Sequence, residues 1–216
     1  MNDEQYFNSD NMAEYPREIH PSVKFGKNVT IGMSCILEEG VIVGDNCFIG
    51  HHVLVRPNSK IGNGVGIRSF CLLDPDVEVG DRTQIYPHAT VGGGTKIGKD
   101  VYYGPYTLTT NSSEPGVINP PVIGDNAIIY AGCMIGPGVK VGVGAIVGMG
   151  STLTKSVPAM ELWYGDSARY RRKVNKKDHG LKEKNPWPYS IEDVCKTFID
   201  YHESMDKKRN KKVELN

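Results

Sequence analysis

An apolar residue recurs at every sixth position along most of this chain. The series begins at Ile19 and reaches Tyr103 without a polar member, and after a break it resumes from Ile123 to Leu153. Four positions after each of these residues the side chain is small. A helix has a period near 3.6 and a strand a period of 2, so neither produces this pattern. A repeated unit of one short strand and one turn does, and it predicts a solenoid whose core holds both columns.

A second period fixes the shape of the solenoid. Glycine follows the large apolar residue in every third repeat, so three repeats form one coil and the cross-section is a triangular prism. This position needs either a missing side chain or an unusual φ. The glycines concerned are Gly26, Gly44, Gly62, Gly80, Gly98, Gly124 and Gly142.

Composition narrows the classes of partner. Lys plus Arg and Asp plus Glu both number 25, so no overall basic field points to nucleic acid. No apolar run is long enough to span a membrane and no signal peptide is recognised, so the expected location is cytoplasmic. Four of the five cysteines, Cys35, Cys47, Cys71 and Cys133, fall in the small inward column. We therefore expect buried structural thiols rather than disulfides or zinc ligands.

The repeat, a large aliphatic residue followed by Gly-X-X-small-X, resembles that of the hexapeptide-repeat acyltransferase superfamily. The resemblance covers about residues 19–172. It implies an all-β fold, a left-handed parallel β-helix with three hexapeptides per coil, and transfer of an acyl group from acyl-CoA. It also implies a homotrimer with active sites between subunits.

The chain divides into three expected regions. Residues 1–18 form an N-terminal segment, residues 19–158 the β-helix, and residues 159–216 a closing segment with a C-terminal α-helix. Residues 110–122, rich in Asn, Ser and Pro, interrupt the repeat and predict a projecting loop. From Ser190 onward a capping pattern and an apolar stripe predict the helix, which would cover one end of the solenoid.

His88 is the main candidate for chemistry. It occupies the outward fourth place of its repeat, in a column with Ser34, His52, Phe70 and Tyr106. Steps of 18 residues place these groups about 4.8 Å apart, so Phe70 and Tyr106 are predicted to flank it. An imidazole there can accept a proton from an attacking amine or hydroxyl, although a solvated surface histidine is the plain alternative. We expect Phe70, Tyr106 and Asn111, at the start of the loop, to contact the substrate.

One branch of the superfamily matches more closely. Gly104, Pro105, Thr110 and Asn111 resemble landmarks of N-acetyltransferases that act on nucleotide-linked amino sugars in surface-polysaccharide, including lipopolysaccharide, synthesis. Some of those relatives carry asparagine where His88 aligns, so sugar O-acetylation stays open, as does a non-catalytic scaffold. No metal site is predicted, because the zinc-dependent branch needs three converging histidines and no matching set follows His88.

Acetyl-CoA is the expected acyl donor, bound along the later coils. Gly132 and Gly150 share an outward column and would leave a clear path for the pantetheine arm. The phosphates need cations, and Lys155, Arg169, Arg171 and Arg172 are the nearest, although a solvated basic stretch explains any single one equally well. The closing stretch resembles the superfamily's G-X-P-A-R turn, with Ser167 in place of the proline. The usual layout implies a backbone N–H, that of Gly132, as donor to the oxyanion.

Overall fold

The computed structural model describes residues 17–175 and 177–178. It is a parallel β-solenoid of three sheets, and each strand pairs with the strand one coil away. Residue partners lie 18 positions apart, as in Leu72 with Thr90, which confirms three hexapeptides per coil. The left-handed winding stays a prediction from the resemblance.

The strands that follow one another along the chain belong to sheets A, B and C in turn. Sheet A contains β1 (Glu18–Ile19), β4 (Ile36–Leu37), β7 (Leu54–Val55), β10 (Leu72–Leu73), β13 (Thr90–Val91), β16 (Leu108–Thr109), β19 (Met134–Ile135) and β22 (Thr152–Leu153). Sheet B contains β2 (Lys24–Phe25), β5 (Ile42–Val43), β8 (Lys60–Ile61), β11 (Glu78–Val79), β14 (Lys96–Ile97), β17 (Val122–Ile123) and β20 (Lys140–Val141). Sheet C contains β3 (Thr30–Ile31), β6 (Phe48–Ile49), β9 (Gly66–Ile67), β12 (Gln84–Ile85), β15 (Tyr102–Tyr103), β18 (Ile128–Ile129), β21 (Ile146–Val147), β23 (Glu161–Tyr164) and β24 (Arg169–Lys173).

The core consists of the two inward columns. The large column is buried from Ile31 to Leu153, whereas Phe25 in the first coil is 37% exposed. Hydroxyl-bearing members of the small column are buried with partners, as where Thr83 Oγ1 donates to the Gly98 carbonyl at 2.7 Å. The four column cysteines are buried free thiols. Burial raises the pKa of the Cys71 thiol to about 11, so this sulfur is protonated at neutral pH.

The glycine column is explained by close approach between coils. A Cβ on Gly80 would lie 2.6 Å from the Gly98 carbonyl carbon, which no packing rearrangement of side chains could relieve. None of the seven glycines in this column has a positive φ. Of the two reasons that the sequence left open, the structure selects the missing side chain.

Three corners join the sheets. The turns from sheet A to sheet B form the A–B corner, those from sheet B to sheet C the B–C corner, and those from sheet C to sheet A the C–A corner. The projecting loop leaves the A–B corner after β16 and returns at β17, so the coil register widens there from 18 to 26 residues. Its tip exposes Val117 and Ile118.

The solenoid ends in a hairpin that the sequence did not predict. Strand β23 adds to sheet C in parallel with β21, and β24 then pairs antiparallel with β23. The helix predicted from Ser190 lies outside the described residues.

Candidate active site

A left-handed backbone conformation recurs at the fourth position of most hexapeptides. On the C–A corner this position has φ between 53° and 69° in all seven coils. The residues, in coil order, are Ser34, His52, Phe70, His88, Tyr106, Gly132 and Gly150. The corner column therefore contains both the predicted catalytic group and the two predicted cofactor-binding glycines.

Four consecutive rings of this column stack face to face. The ring centroids lie 4.9 Å apart from His52 to Phe70, 4.9 Å from Phe70 to His88, and 4.8 Å from His88 to Tyr106. The interplanar angles are 11°, 4° and 2°. We call this set the aromatic ladder. Its spacing is that of neighbouring strands, as the period of 18 predicts.

The ladder contains residues that this backbone conformation disfavours. An L-residue with φ near +60° has a strain of roughly 1–2 kcal/mol, least for Asn and Asp, whose short polar side chains bond locally. On the other two corners the same position is occupied mainly by Asn, Asp and Gly, while Phe70 and Tyr106 have φ of 63° and 56°. Each stacked pair returns about 0.5–1.5 kcal/mol, which offsets part of the strain.

His88 presents an edge to its surroundings. Phe70 and Tyr106 cover its two ring faces, so only the ring edge with its nitrogens is accessible. Among the residues that the structure describes, none forms a hydrogen bond with these nitrogens. His51, which precedes His52 in the chain, differs from His88. Its Nδ1 accepts a hydrogen bond from the Met33 N–H at 3.0 Å and so stabilises the turn at this corner. An exposed, oriented imidazole edge is suited to accepting a proton.

The ladder is followed by an open floor. Tyr106 is 66% exposed, and the next two places in its column are Gly132 and Gly150. A Cβ on Gly132 would meet no atom nearer than 3.9 Å, and one on Gly150 would meet none within 4 Å. Ser, His, Phe and Tyr tolerate the same φ elsewhere in the column, so neither φ nor packing requires glycine here. We call Gly132 and Gly150 the glycine floor.

Backbone donors beside the floor differ from the expectation. The Gly132 N–H donates to the Pro105 carbonyl at 2.8 Å and is not available to an oxyanion. At the preceding place in the first two coils the N–H is satisfied by a side chain of the next coil: the Met33 N–H donates to His51 Nδ1, and the His51 N–H donates to Ser69 Oγ. In the coil of Ala131 that next side chain belongs to Met149, which offers no oxygen or nitrogen acceptor. Among the described residues the Ala131 N–H has no hydrogen-bond acceptor, so it is an open donor beside the floor.

The C-terminal hairpin brings cations to the end of the floor. Its turn is fixed to the C–A corner, since the Gly165 N–H donates to Ser151 Oγ and the Ala168 N–H to the Thr152 carbonyl. The Arg171 guanidinium lies 4.2 Å from the centroid of the Tyr164 ring and donates to the Tyr164 carbonyl.

The other two arginines of the hairpin differ in their surroundings. Arg169 begins β24 next to the same turn and is exposed. Arg172 instead forms a two-pronged ion pair with Asp178, at 2.6 and 2.7 Å, which raises its pKa. Within the described residues, Arg169 and Arg171 therefore form no ion pair with a carboxylate, whereas Arg172 does.

Asn111 and Lys155 lie at another corner. Asn111 Nδ2 donates to the Gly93 carbonyl on the A–B corner at 3.0 Å, and Lys155 follows β22 on the same corner. Gly93 is five residues beyond His88, across the width of sheet A, or roughly 16 Å for an extended chain. Within one chain the structure does not bring Asn111 or Lys155 to the aromatic ladder.

An aromatic cluster on the outer face of sheet C was not predicted. The Arg68 guanidinium lies 5.5 Å from the centroid of the Phe48 ring and 5.9 Å from that of Tyr86. Tyr86 in turn stacks on Tyr102 at 4.8 Å. Burial raises the pKa of Tyr86 and the Arg68 charge opposes this, so the phenol stays neutral. Bulky outward residues one coil apart were the signal available in the sequence.

The described part of the chain bears on two classes of partner, a membrane and a metal ion. No helix there is long and apolar enough to cross a membrane. Residues 17–175 and 177–178 hold no group of three His, Cys, Asp or Glu side chains placed to bind a metal ion.

Comparison with known proteins identifies the family. The bacterial transferase hexapeptide family (six repeats) matches residues 22–57, 58–93 and 120–155, which together make up half of the chain. The chain belongs to this family of hexapeptide transferases. No curated protein sequence gives a significant match.

Solved structures share the fold at low sequence identity. A UDP-N-acetylglucosamine acyltransferase from Campylobacter jejuni has a TM-score of 0.54 at 20% identity, over 77% of this chain and 75% of that one. A mutant of AntD, an N-acyltransferase from Bacillus cereus in complex with dTDP and coenzyme A, has a TM-score of 0.53 at 20% identity, over 74% and 90%. The polySia-specific acetyltransferase NeuO has a TM-score of 0.54 at 18% identity, over 79% and 98%. At these identities the likeness concerns the fold.

Proposed function

We propose that this protein is an acetyl-CoA-dependent N-acetyltransferase for a nucleotide-linked amino sugar, acting in surface-polysaccharide synthesis. The observation that carries the proposal is the continuity of the C–A corner. An oriented imidazole edge at His88, an open glycine floor and the exposed cations of the hairpin follow one another along a single column. This is the order in which a thioester, its pantetheine arm and its phosphates follow one another in acetyl-CoA.

The spacing of the corner suits such a donor. In the extended pantetheine arm two amides are separated by one more carbon than in a peptide, so they repeat at about 4.8 Å. This equals the repeat of the coils, about 4.8 Å. With the thioester beside His88, the first amide falls at the level of Tyr106 and the second at the level of Gly132. One coil can therefore serve each amide, and the missing side chains of the glycine floor leave room for the arm.

The chemistry assigns roles to two groups. The substrate amine attacks the thioester carbonyl, a C–N bond forms, and the C–S bond breaks to release the CoA thiol. His88 accepts the proton from the amine nitrogen and passes it to the departing sulfur, so no external reagent is needed. With the thioester beside His88, the Ala131 N–H lies level with the second pantetheine amide, and its role is to donate a hydrogen bond to the carbonyl of that amide.

Closed threefold symmetry would complete the site. His88 and Asn111 lie at opposite edges of sheet A. Gly93 belongs to the same coil as His88, and Asn111 lies one coil further along the solenoid than Gly93. If three copies turn their A sheets toward a common axis, the A–B corner of each copy meets the C–A corner of the next. Asn111 of a neighbouring copy then lies level with Tyr106. The outward side chains of sheet A support this packing, since they include Ile36, Leu54, Leu72, Leu108 and the half-exposed Met134.

A second candidate is sugar O-acetylation, which the His88 edge favours. A hydroxyl acceptor needs a base to lose its proton during attack, whereas an amine near neutral pH is already partly deprotonated. The same corner geometry serves both reactions, so the acceptor decides between them.

A thiol-release assay tests the proposal. Acetyl-CoA is offered with UDP- and dTDP-linked amino sugars, and with the matching hydroxyl sugars as controls. Turnover confined to amino sugars is the expected result. Turnover only with hydroxyl sugars would replace it with O-acetylation. No turnover, together with no thermal stabilisation by millimolar CoA, would indicate a non-catalytic scaffold.

A further inference from the structure

We infer that Phe70 and Tyr106 are positioning residues, which hold the His88 imidazole so that its nitrogens face the substrate edge-on. This inference deepens the proposed function and rests on it for the role of His88. The aromatic ladder thereby fixes the χ2 torsion of His88, the proposed base.

A lone imidazole on an exposed corner has wide rotational freedom. The χ2 torsion of histidine joins a tetrahedral to a planar carbon, so its energy profile is broad and the ring turns easily. On an exposed corner no core packing restricts it. An unsupported imidazole would therefore point its nitrogens over a wide range of directions.

In this protein two parallel rings restrict the imidazole of His88. Phe70 and Tyr106 lie parallel to His88 within 4° and 2°, with centroids 4.9 and 4.8 Å away. A rotation about χ2 would drive a ring edge into one of these faces. The two neighbouring rings therefore hold the imidazole ring parallel to their own planes.

Both ring faces of Phe70 are covered. His52 covers one of its faces at 4.9 Å and His88 covers the other. A substrate could reach only its edge, so a substrate-binding role by stacking is unavailable to it. Within the described residues, aromatic side chains take the left-handed corner position only on the C–A corner. Strained residues that the backbone does not require point to a local role.

Phe70 and Tyr106 differ in what lies against the ring face that is turned away from His88. Tyr106 covers His88 with one face, while its other face looks along the column toward Gly132. Tyr106 therefore both positions the base and borders the glycine floor, whereas Phe70 only positions. A substitution at Phe70 therefore tests the positioning role without altering the border of the glycine floor.

The test compares Phe70→Leu with Phe70→Tyr. Leucine keeps apolar bulk but offers no parallel face, whereas tyrosine restores one. We expect Phe70→Leu to lower kcat roughly 10- to 100-fold, since misplacement of a reacting group by about 1 Å has effects of this size. KM for both substrates should stay within about twofold, and Phe70→Tyr should recover most of kcat. Equal losses in both variants, or none in Phe70→Leu, would overturn the inference.

A second readout does not depend on activity. In histidine-labelled protein, the ring-proton NMR resonances of His88, assigned by their loss in His88→Gln, should be shifted upfield by the two covering rings. Phe70→Leu should move them downfield, and Phe70→Tyr should not. Unshifted resonances in the wild type refute the ladder as a positioning device even if the enzyme is active. Shifted resonances in a protein inactive toward every sugar would leave the stack in place and refute the proposed function instead.

Discussion

Substitution of Gly80 by alanine separates close coil packing from backbone conformation as the cause of the glycine column. A Cβ there would lie 2.6 Å from the Gly98 carbonyl carbon and 2.8 Å from the Lys99 nitrogen. Carbon atoms in contact prefer about 3.5–4.0 Å, so the two coils must move apart by roughly 1 Å. All three nearest atoms belong to backbone, and none can swing away.

The expected loss follows from the bonds that this movement stretches. The Gly80 N–H donates to Ile97 at 2.8 Å and the Asp100 N–H to Asp81 at 2.9 Å. Weakening both removes about 1 kcal/mol each, and overpacking adds about 1–3 kcal/mol. A lower entropy of the unfolded chain returns about 0.4–1 kcal/mol. Gly80→Ala should therefore lower the free energy of unfolding by about 2–5 kcal/mol.

Gly132→Ala is the matched control. Its Cβ meets no atom nearer than 3.9 Å, and only the positive φ opposes it, at about 1 kcal/mol. Denaturant unfolding of the two variants and the wild type, compared by midpoint and slope, measures the difference. If Gly80→Ala were no less stable than Gly132→Ala, the close approach of coils would not be the reason for the column.

Three further predictions concern other parts of the molecule. His88→Ala should lower kcat for a hydroxyl acceptor by about 10²–10⁴-fold and for an amine acceptor less, as measured by thiol release. The pKa of Cys71 in the folded protein is raised to about 11 from 9.0, so its contribution to stability is complete below pH 9 and is lost as the pH rises to 11. Cys71→Ala should flatten this part of the pH–stability profile, and an unchanged profile would contradict the assignment. Tyr103→Phe should lower the free energy of unfolding by about 1–2 kcal/mol, because the buried Tyr103 hydroxyl donates to the Thr90 carbonyl at 3.1 Å, and an unchanged denaturation midpoint would contradict this.

The periodic part of the structure could be predicted because each residue repeats the environment of the residue 18 positions earlier. The inward columns, the buried cysteines and the stack around His88 all follow from this one rule. Departures begin where the period ends. Strands β23 and β24 pair antiparallel outside the hexapeptide pattern, so the ion pair of Arg172 with Asp178 could not be read from spacing.

The placement of Asn111 could have been predicted. It lies 18 residues after Gly93, and five residues after His88 the chain has already crossed sheet A to the next corner. The sequence predicts the level of Asn111 along the solenoid, but Asn111 lies at the A–B corner and not at the C–A corner of His88. The open floor at Gly132 and Gly150 could be recognised only from the structure, because sequence alone does not distinguish a glycine required by close packing from one in open space.

The most direct test of the donor site is to fill the glycine floor. Gly132→Phe places a fifth ring on the aromatic ladder beyond Tyr106, in a column where Phe70 already tolerates the backbone conformation. Ser34→Phe is the matched control, since it extends the same ladder at its opposite end, beyond His52. Calorimetric titration with CoA should show unchanged affinity for Ser34→Phe and at least a tenfold loss for Gly132→Phe, with both variants folded. Equal affinity in Gly132→Phe and the wild type would show that the acyl donor does not bind on this corner.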